Sequence, residues 1–109
     1  MKPVKFHIQL EKDIEANDVK GELERLASDM PIQLRHDDVL NWLIGTTNQF
    51  TYEKLFSTIL EYETKVAHNV NEGPFLTGKW VERKPAQVPA ALKDKVKGIY
   101  LSKTVHLTD

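Results

Sequence analysis

The chain contains no cysteine. A disulfide framework, a thiolate metal site and a cysteine nucleophile are excluded at once, and the absence fits a reducing compartment. Long hydrophobic runs are missing too. Stretches such as Trp42-Leu43-Ile44 are only a few residues long, against the ~18–20 that a membrane-spanning helix needs. The opening Met1-Lys2-Pro3-Val4-Lys5-Phe6-His7 alternates polar and apolar residues and has no apolar signal-peptide core. These absences predict a cytoplasmic protein with no membrane partner.

Catalytic and cofactor signatures are also lacking. Gly73-Pro74-Phe75-Leu76-Thr77-Gly78-Lys79 echoes a phosphate loop, but Trp80 follows the Gly-Lys pair where Ser or Thr is required. Asp37 and Asp38 are adjacent and read as cap residues, which favour a helix dipole. Glu61 and Glu63 are too close in sequence to share a helix face. No carboxylate pair suits glycoside hydrolysis. The four histidines carry no metal spacing such as H-E-x-x-H: His36 stands beside Asp37 and Asp38, and His68 one turn before Glu72. His7 and His106 sit in candidate strands that would share a surface if those strands paired, giving a third, enzymatic reading. The expectation is of no catalytic residue, no cofactor and no metal.

What is present is a globular balance. The 109 residues are 40% hydrophobic and 28% charged, which fits one domain. A chain of this size buries about two-thirds of its unfolded surface. The net charge of −1 hides an asymmetry. Residues 1–76 hold thirteen acidic and eight basic side chains, whereas residues 77–109 hold seven basic and three acidic ones. Such a division signals a contact with nucleic acid or an acidic protein, or the tail packing back on its own body.

Periodicity supplies the elements. Residues 3–10 alternate Val4, Phe6, Ile8 and Leu10 with Lys5, His7 and Gln9, the signature of a strand with one apolar face. Val19, Leu23, Leu26 and Met30 form a helical stripe over 17–30, capped by Asn17 or Asp18 and stopped by Pro31. Asp37 or Asp38 predicts a short helix over 37–44, with Gly45 as its left-handed C-cap. Thr51 predicts the start of the longest helix, 51–70, whose stripe runs Leu55, Phe56, Ile59, Leu60, Val66, Ala67 and Val70. Residues 75–88 read as a Pro-punctuated arm with a short strand at 79–83, residues 89–97 as a short helix, and 99–107 as a closing strand. The expected fold is therefore α+β, with a small sheet of terminal strands packed on three to four helices. A two-stranded sheet alone is marginal, so a third strand is expected from 79–83 or from a partner.

Three surfaces compete for function. Residues 37–44 and the helix after them echo a helix-turn-helix, but the exposed side of the second carries Glu53, Glu61 and Glu63, wrong for a phosphate-facing helix. Lys79, Arg83, Lys84, Lys93, Lys95 and Lys97 cluster around Trp80, which suits nucleic acid. Large rings outside the predicted stripes, Trp42 and Trp80 with Phe75, joined to Arg83 and Lys84, suit a protein partner or a second copy of the chain. The leading expectation is a small non-enzymatic accessory protein, an adaptor, inhibitor or assembly factor of the kind that phages and mobile elements encode, docking through the 75–88 arm, the Trp42 region or a free strand edge. The alternative is nucleic-acid binding by the basic arm.

Overall fold

The computed structural model describes residues 2–69, 73–102 and 105–106. Strand β1 (Val4–Leu10) forms as its alternation predicts: Val4, Phe6, Ile8 and Leu10 are buried. Helix α1 (Ala16–Ala27) buries Val19 and Leu23, flanked by Ala16 and Ala27. Its N-cap is Glu15, which makes no side-chain cap bond. Ser28, with φ 54°, ends it three residues before Pro31.

Residues 37–44 are not a helix. Strand β2 (Ile32–Asp37) and strand β3 (Trp42–Thr47) form a hairpin over them. The Asp37 carboxylate does accept from the Val39 and Leu40 amides, at 3.0 and 3.2 Å. That capping geometry closes a turn instead, because Asn41 takes φ 54° and sends the chain back. Gly45 is a mid-strand residue.

The predicted long helix is two elements. Helix α2 (Gln49–Phe56) is capped by Asn48, whose side chain accepts from the Thr51 amide at 2.8 Å, so Thr51 lies inside the helix. Ser57 enters the left-handed region, and strand β4 (Ile59–Asn69) follows. The sequence from Thr58 onward is rich in β-branched and aromatic residues, and its helical stripe has a gap from Leu60 to Val66. Strand β5 (Gly73–Lys84) absorbs most of the supposed arm. A 3₁₀ turn, Ala90–Leu92, stands where a helix over 89–97 was expected. Strand β6 (Val96–Leu101) and the short strand β7 (Val105–His106) divide the predicted closing strand, with 103–104 and 107 outside the described residues.

The α+β expectation of terminal strands on three to four helices is thus overturned. Among the described residues there are two α-helices, and the chain is mostly strand, in two antiparallel sheets. Neither helix is long and apolar enough to cross a membrane.

The first sheet has the order β2-β3-β1-β6, every neighbour antiparallel. β1 and β2 therefore run parallel with β3 between them, and β3 and β6 run parallel with β1 between them. Each parallel pair is bridged by a crossover containing one helix, giving two interlocked split βαβ units. The β4–β5 hairpin is an insertion in the second crossover, and with β7 it makes the second sheet.

The core lies between the first sheet and the helices. The Phe6 ring lies across β3, over Gly45, where any Cβ would stand 2.2 Å from the ring tip. Tyr52 and Phe56 of α2 meet Phe6 edge-on at 5.3 and 5.6 Å. Tyr52 is buried and donates its hydroxyl to Glu82 at 3.1 Å. Glu82 also accepts from the Ala86 amide, so one carboxylate ties α2, β5 and the following segment together. Burial first, then the Glu82 charge, pushes the Tyr52 phenol far above its usual range.

Two outcomes follow. Gly45→Ala collides with a buried ring that has nowhere to go, so it should cost about 2–3 kcal/mol by urea unfolding. Combining it with Phe6→Leu should recover part of that loss, a non-additive pair. The Tyr52 proton is held more tightly in the folded chain than in the unfolded one, so stability is intact below the ordinary phenol value and falls as pH rises past about 10. In Tyr52→Phe that alkaline decline should be shallower than in the wild type when urea midpoints are compared at neutral and alkaline pH.

Candidate protein interface on the open face of the sheet

Both helices pack on the face of the first sheet that carries Val4, Phe6, Ile8 and Leu43. Alternation sends the intervening residues to the opposite face. The register places Trp42, Gln9 and Gly98 in one row across it, and Arg35, Ile44, His7 and Tyr100 in the next.

Two rings dominate that face. Trp42 on β3 and Tyr100 on β6 reach toward each other over the central strand β1, centroids 5.9 Å apart and planes within 27°. The His7 ring meets Trp42 edge-on at 6.1 Å. Tyr100 leans back along its own strand over Gly98, where a Cβ would sit 2.3 Å from the phenol oxygen. Its hydroxyl reaches Gln9 at 3.4 Å. Tyr100 remains exposed, as do the cations Lys5 and Arg35 on this face.

The β2–β3 turn extends the apolar surface at one end. Val39 and Leu40 are exposed, yet their amides are fixed by Asp37. His36 braces the same turn, with one ring nitrogen 2.9 Å from Asn41 Oδ1 and the other 3.0 Å from Asp38 Oδ1. On its other side, Tyr100 borders an open cleft of about 420 Å³ between β6 and β5, lined also by Lys79, Trp80, Val81 and Glu82.

Of the residues singled out from sequence, Trp42 lies on this face and Trp80 on the adjoining cleft. Trp80 is anchored: its indole N–H donates to the Pro3 carbonyl at 2.9 Å, and its ring packs on Tyr62 at 5.0 Å and against the core. Arg83 is clasped by Glu61 at 2.6 Å and Glu63 at 2.9 Å. That pairing raises the guanidinium value and lowers that of Glu61. Phe75 is half-buried on β5 opposite Ala67. Lys79 stands opposite Glu63, and Lys84 ends the strand opposite Ile59. Lys93 and Lys95 belong to the turn before β6, where the Lys95 carbonyl accepts from the Glu11 amide, and Lys97 occupies the bulge between Val96 and Gly98.

His7 lies in the first sheet, and His106 pairs with Thr77 in the second. Glu72, the expected companion of His68, lies outside the described residues. No group of three potential metal ligands occurs among the described residues.

Tyr100, Arg35 and the Val39-Leu40 turn were not singled out as site residues. Tyr100 was legible as the polar-face member of the last strand. Arg35 and the turn were hidden because β2 went unrecognised. Comparison with protein-family models, with curated proteins and with solved structures finds no match.

Gly98→Ala offers a contrast with Gly45→Ala. The colliding atom here is the free end of an exposed ring, which swings outward, so stability should change by no more than about 0.5 kcal/mol. The Trp42 indole resonance should nevertheless shift as its neighbour leaves, as read by two-dimensional NMR.

Proposed function

We propose that this chain is a non-enzymatic protein-binding module that docks through the open face of its four-stranded sheet. The observation that carries the reading is the Trp42–Tyr100 pair, displayed on a face that neither helix covers. Trp, Tyr and Arg are the side chains that anchor protein interfaces, because they bury much area at low conformational cost. This face offers all three, with Arg35 beside Ile44 in the next strand and the exposed Val39-Leu40 turn at its margin. The ordered turn presents its apolar side chains without a loop-ordering penalty on binding.

The same geometry weighs against nucleic acid as the partner. Arg83, the central cation of the basic arm, is already neutralised by two carboxylates. Lys79 and Lys84 lie on β5, whereas Lys93, Lys95 and Lys97 lie around the start of β6. Among the described residues the three inner rows of the open face carry Lys5 and Arg35 as fixed cations, few for a phosphate track.

The test uses immobilised wild-type chain and a Trp42→Ala/Tyr100→Ala variant, with a single-stranded oligonucleotide titrated in parallel. The expected result is protein retained by the wild type at low and high salt, lost from the variant, with no oligonucleotide binding. Oligonucleotide binding that weakens steeply with salt and survives the double substitution would overturn it in favour of the basic arm.

A further inference from the structure

The second sheet leaves β4 as an edge. Leu60, at its base, turns both backbone groups away from β5: its amide donates to Glu53 at 2.7 Å, and its carbonyl accepts from Gln49 at 3.1 Å. In an antiparallel strand, residues two apart direct their backbone groups the same way. The N–H and C=O of Tyr62, Thr64 and Val66 therefore also face away from β5, and no described residue pairs with them. The strand has no proline, and its one irregularity is at the base, between Ile59 and Leu60. Val66 and its cross-strand neighbour Leu76 are 60% and 49% exposed on one side of this ribbon. A long, regular edge with exposed apolar side chains is a template for strand addition.

We infer that the occupant is β4 of a second copy, paired antiparallel about Thr64. The side chains select this register. Centred on Thr64, Glu63 of each copy lies opposite Lys65 of the other, and Tyr62 lies opposite Val66. Moving the centre to Glu63 sets glutamate against glutamate; moving it to Lys65 sets lysine against lysine. Moving it to Tyr62 doubles the glutamate clash through Glu61 and Glu63, and demands the Leu60 backbone that Gln49 and Glu53 already hold. In this register the outward backbone groups of Tyr62 meet those of Val66, and those of Thr64 meet their own counterpart. Like charges directly opposite are destabilising and opposite charges favourable, so of these four registers the one centred on Thr64 makes β4 complementary to itself. The product is a continuous sheet of six strands, three from each copy, with Val66 set opposite the second copy's Tyr62. It uses no residue of the Trp42–Tyr100 face and stands apart from the function proposed for that face.

The charge pattern supplies the test. Lys65→Glu sets acid against acid at both copies, and Glu63→Lys sets base against base; Lys65 is exposed, Glu63 is half-buried and loses its bond to Arg83 when substituted, and circular dichroism verifies the fold of each variant. Sedimentation equilibrium should show a wild-type dimer, each variant at least ten-fold weaker alone, and the two mixed in equal amounts forming a heterodimer of near wild-type affinity. Hydrogen exchange should show amide protection of Tyr62, Thr64 and Val66 that grows with concentration. A monomeric wild type at the highest attainable concentration overturns the inference. So does a dimer that both variants retain, or one lost on Trp42→Ala/Tyr100→Ala.

Discussion

The contact between the Phe6 ring and the bare backbone of Gly45 is the constraint on which the rest of the molecule turns. Phe6 belongs to the central strand β1, and Gly45 to its neighbour β3. Laying the ring across the neighbouring strand lowers the height of the core at that point, and α2 comes close enough for Tyr52 and Phe56 to meet it edge-on. Once α2 is seated there, Tyr52 reaches Glu82, and the base of the inserted hairpin is fixed in turn. Both crossovers deliver their helices to this one face. No described residue forms a covering layer on the other face of the sheet, so its aromatic side chains are open to a partner.

The rings accordingly divide into two sets. Phe6, Tyr52 and Phe56 fill the core, and Tyr62 with Trp80 joins the hairpin to it. Trp42 and Tyr100 make no such internal commitment and touch chiefly each other, His7 and Gln9. The charge asymmetry divides in a similar way. Part of the basic C-terminal excess is balanced inside the chain, since Arg83 of the basic third answers Glu61 and Glu63 of the acidic body.

How far the fold could be read from the residues depended on whether a local signal had one meaning or two. β1 and α1 were legible, because strict alternation and a four-three-four stripe each fit a single period. Asp37 was read correctly as a capping residue and wrongly as a helix start: the same carboxylate geometry closes a turn, and Asn41 decides between them. In 51–70 the stripe of apolar residues spanned two elements. The break is set by Ser57 in the left-handed region and by Gln49 and Glu53 gripping Leu60, contacts between residues too far apart for a periodicity to register. Trp42 was legible as a ring out of step with its neighbours. Its meaning was not, since it needed the register that sets Tyr100 beside it.

The sheet's strand order has a consequence for synthesis. Of the strands of this sheet β1 is made first and sits second from the sheet's edge, and its outer neighbour β6 is made after the other three, Phe6 pairing with Leu101. Until β6 emerges, a nascent chain that has already folded β1, α1, β2, β3 and α2 carries a bare strand edge beside Phe6 and Ile8. The β4–β5 hairpin, whose pairings are local, emerges during that interval. The inserted hairpin thus lengthens the time for which the half-built sheet is open to mispairing beside Phe6 and Ile8.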